Sequence, residues 1–185
     1  MDHGVDSTAL HGELKEGVRN AVTVCLRVEP EEKVTLIIDK ATRDIGTSIY
    51  REIQNVGARC GVFVLEDFGT RPHTEMPQEI LDDLATSQVS VYAAQGEPGE
   101  LRTRMQMMTV VTKNRIRHGH MINVNTRIMQ EGMRADFHQV DEISKKVWEL
   151  AKTAKRIRAT TELGTDVTAE LSPKLKWLKT SGIIS

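Results

Sequence analysis

Val34-Thr35-Leu36-Ile37-Ile38 is an unbroken run of aliphatic and β-branched residues, with charged Glu31-Glu32-Lys33 before it and Asp39-Lys40 after it. A run without polar alternation is a strand covered on both faces, because an open face would call for a polar residue at every second position. Such a strand needs helices on both sides, and the rest of the chain carries them. Leu10, Leu14, Val18, Ala21, Val22 and Cys25 share one helical face, in a helix ending near Val28-Glu29-Pro30. Ile45, Ile49, Ile53 and Val56 repeat at helical spacing, and Gly57 stands where a helix C-cap belongs. Val62–Leu65, Val89–Ala93, His120–Val124 and Ile157–Thr161 read as further strands. Thr165–Leu171 alternates in polarity and reads as a sixth strand at an edge. The intervening helices carry Ile80, Leu81 and Leu84; then Leu101, Met105 and Met108; then Met129 and Met133 behind an Asn125 N-cap; then Val140, Ile143, Val147, Leu150 and Ala154.

Strand and helix alternating at this spacing imply βαβ crossovers. The expected fold class is α/β, an open, doubly wound, Rossmann-like and mostly parallel sheet of about five strands with helices on both faces. The strands are expected at 34–38, 62–65, 89–93, 121–124 and 157–161, mutually parallel. Residues 1–8 are expected to be a disordered N-terminus and 9–162 the α/β domain.

The chain of 185 residues has aromatics at only 4%, so the core must be built from Val, Ile, Leu, Met and Ala. No apolar run approaches the roughly 20 residues that span a bilayer. Met1–Thr8 lacks the apolar centre of a signal peptide, so a cytoplasmic location is expected and no membrane partner. Cys25 and Cys60 form no CxxC and read as two reduced, buried thiols. Residues 1–100 hold 9 Lys and Arg against 18 Asp and Glu, and residues 101–185 hold 16 against 8. Counts of this kind do not place charges in space, and they fit two halves that face each other or solvent as well as a basic half that meets an acidic partner.

Ligands of a doubly wound sheet bind beyond the carboxyl ends of its strands. The first such place is Asp39-Lys40-Ala41-Thr42-Arg43-Asp44, where Thr42 and Asp44 read as N-caps of the next helix. The chain contains neither GxGxxG nor GxxxxGK[ST], so the glycines that let backbone amides approach a phosphate are missing. His118 and His120 form an HxH whose imidazoles share a face if both lie on one strand. No third or fourth ligand is visible nearby, and Arg115 and Arg117 would repel a cation, so no stoichiometric metal is expected. Glu66-Asp67 and His73 follow the second strand and could exchange protons if tuned, although loop solvation also accounts for them. Arg102, Arg104, Lys113, Arg115 and Arg117 lack the interleaved aromatics that stack bases, so no nucleic-acid partner is expected; they read as a solvated face beside a Met-lined core face. Residue chemistry alone therefore assigns no catalytic, cofactor-binding or metal-ligating residue.

Several segments together resemble one known group. Cys25-Leu26-Arg27-Val28-Glu29-Pro30-Glu31-Glu32-Lys33-Val34-Thr35-Leu36-Ile37 is similar to the segment entering the first strand of thermophilic metallo-aminopeptidases of the aminopeptidase T and leucyl aminopeptidase type. Ile53-Gln54-Asn55-Val56-Gly57-Ala58 resembles what precedes that family's second strand. Ile157–Thr168, with its Gly164-Thr165-Asp166, resembles the junction between the family's two halves, and Arg134–Val140 places a histidine, His138, suitably. The resemblance covers roughly residues 10–172.

It implies an amino-terminal α/β domain, with 163–185 as the junction into a metal-binding domain. In that family a divalent metal pair is held by carboxylates, histidines and a tyrosine of the carboxyl-terminal half. No residue of this chain matches a metal ligand. The resemblance thus implies a domain inactive alone in releasing N-terminal amino acids from peptides, with peptide as substrate only where the catalytic half is present. The same architecture occurs in iron-dependent dihydroxypyridine ring-cleaving dioxygenases. A stand-alone small-ligand-binding or self-associating module remains the other reading. Leu175, Trp177, Leu178, Ile183 and Ile184 in the tail would be left uncovered without a second domain, so a homo-oligomer with Trp177 at its contact is expected.

Overall fold

A computed structural model describes residues 11–172, 174 and 176–184. The expectation of disorder at 1–8 lies outside these residues, as do Leu10 and Leu175. The order of elements is α1 (His11–Arg19, continued as a π-helical stretch Asn20–Cys25), β1 (Lys33–Ile38), α2 (Arg43–Val56), β2 (Arg59–Val64), α3 (Gln78–Leu84), β3 (Val89–Ala93), α4 (Leu101–Asn114), β4 (Arg117–His120), α5 (Thr126–Gln130), α6 (Phe137–Ala151), β5 (Arg156–Thr160) and β6 (Asp166–Glu170). The chain forms two compact units, residues 1–135 with 184–185, and residues 136–183.

The first unit is a parallel four-stranded sheet in the order β2-β1-β3-β4. Pleating sends alternate side chains to opposite faces. Val34, Leu36, Ile38, Val89 and Val91 enter one core with Leu14, Val18, Ile45, Ile49, Ile53 and Met129, which places α1, α2 and α5 on that face. Ile37 and Tyr92 enter a second core with Ile80, Leu84, Met107 and Val111, from α3 and α4. The doubly wound α/β fold is therefore present, and Gly57 closes α2 at φ 88° in the left-handed region as expected of a C-cap. Ile184 returns to this unit, where its amide donates to the Cys25 carbonyl at 2.8 Å.

Three expectations are corrected. The fourth strand is Arg117–His120, not 121–124, because Asn123 takes a left-handed φ of 58° and ends the extended run early. Residues 157–161 do not join the parallel sheet. Gly164, at φ 99°, turns the chain so that β5 pairs antiparallel with β6 in a separate exposed hairpin. The core face of α4 is Thr103, Met107 and Val111, while Leu101 and Met105 are 64% and 59% exposed, so the helix is rotated away from the Leu101-Met105-Met108 stripe.

The second unit comprises α6 and the hairpin with their flanking segments, so both lie outside the sheet unit although the stretch 9–162 reads as one domain. Asp136 caps α6, accepting from the amides of His138 and Gln139. Ile143, Val147 and Leu150 are 54%, 60% and 76% exposed. Ile143, Val147, Trp148, Ala151, Trp177 and Leu178 border an open hollow of about 300 Å³ within this unit.

Both cysteines are free. Burial pushes the Cys25 thiol up to about 11; burial, with Asp83 nearby, pushes Cys60 up to about 12. Neither is a thiolate nucleophile at neutral pH.

Candidate functional site

The chain leaves β1, forms β2 on one side of it and crosses to form β3 on the other, so the connections diverge between β1 and β3. Beyond the carboxyl ends of those two strands lies the crevice where doubly wound sheets take ligands. Here it is filled by ion pairs. Asp39, directly after β1, is 1% exposed. One of its oxygens accepts from the Thr42 amide at 2.8 Å, and the other from the Gln95 amide at 2.6 Å and Arg71 Nη1 at 2.8 Å. Arg71, from the loop after β2, also clasps Glu100 with two bonds, Nε to Oε1 at 2.9 Å and Nη2 to Oε2 at 2.5 Å. Its Nη2 donates further to the Gln95 carbonyl at 2.6 Å, and the His73 amide donates to Glu100 at 3.0 Å. The side chains of Arg71 and Glu100 are 7% and 2% exposed.

Bonding to Glu100 foremost, then to Asp39, raises the Arg71 pKa against the opposing effect of burial. Burial would raise Glu100, but its bonds from Arg71 and the His73 amide outweigh this and hold it below the usual carboxylate range. A guanidinium with its donors spread over two carboxylates and a carbonyl has little left for a substrate anion. The oxygens of both carboxylates are taken up by these bonds, so neither is placed to accept a proton from a substrate. The cluster is a keystone joining three loops.

Thr42 stands at the N-cap position of α2 without capping it. Its hydroxyl donates across the crevice to the Ala93 carbonyl at 2.5 Å, with Asp39 Oδ1 2.9 Å away. The expected cap is therefore corrected, since a buried hydroxyl is drawn to the crossing between strands. Asp44 lies in the first turn of α2.

The Glu66, Asp67 and His73 group does not assemble into an acid–base pair. Glu66 accepts from the Lys40 amide at 3.0 Å, His73 Nε2 bonds the Leu65 carbonyl at 2.9 Å, and Asp67 is exposed.

His118 and His120 do share a face of β4. His118 Nδ1 lies 2.8 Å from Ser90 Oγ, and His118 Nε2 lies 3.1 Å from His120 Nδ1. The His120 ring stacks on Tyr92, with centroids 5.4 Å apart and 11° between planes. Arg117 points to the other face and pairs with Glu32. Among the described residues no group of three or more His, Cys, Asp or Glu is placed to hold a metal ion, and no helix is long and apolar enough to cross a membrane.

Burial, and then the neighbouring His120, push His118 down to about 4, and burial, and then Arg104, also lower His120. An unfolded histidine titrates near 6.5. Above that value both states are neutral and the pair has no pH-dependent effect. As pH falls from 6.5 towards 4 the unfolded chain binds protons that the folded chain refuses, and stability drops by about 1.4 kcal/mol per pH unit for each histidine held fully neutral. Thermal melts of chelator-treated protein should show the melting temperature falling across this window, with a shallower fall in His118→Gln. Equal slopes in both proteins would contradict the assignment.

Arg71, Glu100 and Gln95 were not singled out by the sequence. An arginine between Thr70 and Pro72, and a glutamate after Pro98-Gly99, look like solvated loop residues. Their only sequence signal is proximity to strand carboxyl ends.

No protein-family model matches the sequence, and no curated protein matches it significantly. Among solved structures, the chain is similar to the crystal structure of the CurK enoyl reductase at 12% identity and a TM-score of 0.33, with 75% of this chain and 49% of that one covered. The chain thus spans about half the length of that protein.

Proposed function

We propose that this chain is the non-catalytic α/β domain of a cytoplasmic protein of the metallo-aminopeptidase type, shaping substrate access and holding copies together while a metal-binding domain does the chemistry. The observation that carries the reading is the crevice between β1 and β3, where Arg71, Asp39 and Glu100 occupy each other. A domain whose usual ligand site is filled by its own ion pairs suits a supporting role. The segments similar to aminopeptidases agree with it. The uncovered stripe of Ile143, Val147 and Leu150 on α6 offers a surface for self-association.

Two measurements test this. The purified chain should not hydrolyse amino-acid arylamides, with or without added divalent cations; metal-dependent turnover that follows the protein peak on a column would refute the supporting role. The coding DNA beyond the Ser185 codon, or a neighbouring reading frame, should encode a domain with carboxylate, histidine and tyrosine metal ligands. A stop codon with no such frame nearby would favour the stand-alone module instead.

A further inference from the structure

We propose that His118 and His120 form a two-imidazole chelate for a borderline divalent transition-metal ion of the zinc type, with its other coordination positions open to solvent. The register of the sheet creates the site. β3 and β4 pair with Ser90 opposite His118 and Tyr92 opposite His120, so each imidazole stands beside a partner that orients it. Metal-ligating histidines characteristically donate their second ring nitrogen to a fixed acceptor. Ser90 Oγ, fully buried and 2.8 Å from His118 Nδ1, is placed as that acceptor, which leaves a lone pair on His118 Nε2. The stack on Tyr92, itself 1% exposed, fixes the plane of His120.

The bite is the right size. Zinc–nitrogen bonds of about 2.0–2.1 Å spanning the 3.1 Å between His118 Nε2 and His120 Nδ1 would subtend about 95–102° at the metal. That angle lies between square and tetrahedral coordination. In the metal-free protein one proton lies between the facing nitrogens. On binding, the Nδ1 proton of His120 moves to its exposed Nε2, and the ion takes the vacated lone pair, so no net proton is released.

The repulsion expected from Arg117 is absent from this face, since Arg117 points away and is neutralised by Glu32. Arg104, whose charge lowers the His120 pKa, remains near and moderates the affinity. Nitrogen ligands favour zinc, copper and nickel over magnesium or calcium. The site is separate from the keystone ion pairs and does not depend on the aminopeptidase reading.

The test uses the full chain, stripped with chelator and titrated with Zn(II) by calorimetry and by nitrogen NMR of the imidazoles. The expected result is saturable binding in which His118 Nε2 and His120 Nδ1 shift together and His120 changes tautomer. His120→Gln, at an exposed position, should abolish those shifts, and Ser90→Ala should weaken binding by about 10–100-fold. Binding unchanged in His120→Gln, no saturable heat in the parent chain, or shifts confined to His73 and His138 would each overturn the proposal.

Discussion

Arg71→Met should lower the unfolding free energy by about 3–5 kcal/mol, the cost of breaking a buried ion pair by removing one partner. The substitution keeps much of the side-chain volume and strips the charge. Asp39 and Glu100, 1% exposed, would then face each other without a cation. A domain of this size has about 5–15 kcal/mol in total, so the variant would be marginal. Arg71→Lys should rescue little, since an ammonium cannot reproduce a planar fork that reaches Glu100 twice, Asp39 and the Gln95 carbonyl together. Adding Asp39→Asn to Arg71→Met should restore part of the loss by removing one uncompensated charge. Urea unfolding followed by far-ultraviolet circular dichroism measures all four proteins. A loss below about 1 kcal/mol in Arg71→Met would show that the crevice opens to water and that the cluster is no keystone.

Gly17→Ala is expected to destabilise by about 1–3 kcal/mol or more, opposite in sign to the usual effect of alanine in a helix. Gly17 is buried in α1 where it crosses α5. A β-carbon there would sit 2.2 Å from the Met129 carbonyl oxygen and 3.1 Å from the Met133 β-carbon. A backbone oxygen cannot step aside as a side-chain end can, so α1 and α5 must separate. Gly12, in the same helix, meets no described atom within 4 Å, and Gly12→Ala serves as the comparison. The two melting temperatures should move apart. A rise in both would mean that α1 and α5 pack more loosely than this.

Three of the four strands of the parallel sheet were legible from their apolar runs: Val34–Ile38 and Val89–Ala93 are buried on both faces, and Val62–Val64, in the half-buried strand at one edge, is apolar throughout. Arg117-His118-Gly119-His120 is not. It is an edge strand paired only with β3, and its polar side chains hid it behind the more apolar Met121-Ile122 next door. The rotation of α4 was hidden for a related reason. Its apolar residues occupy two stripes, and which stripe turns inward depends on Tyr92 and Ile80 across the core, information that no local window holds. The hairpin of β5 and β6 shows the limit of reading strands singly, since Ile157–Thr161 is β-prone in either setting and only Gly164 signals a turn back. In the site, the HxH could be read from spacing, whereas Arg71 and Glu100 could not. They lie 29 positions apart and meet only because the strands that precede them, β2 and β3, flank β1.

Both tryptophans of the chain, Trp148 and Trp177, border the same hollow in the second unit, and the sheet unit has none. Lys152 lies 4.3 Å from the centre of the Trp148 ring. Emission excited selectively from indole is therefore a private reporter on residues 136–183, already tinted by one ammonium group, while the amide signal weighs both units. A solvent or heat scan recorded through the two optical channels separates the melting of one unit from the other without any label. Where the Arg71 and Gly17 variants shift the amide trace and leave the indole trace in place, the units are thermodynamically independent; where both traces move as one, folding is shared between them.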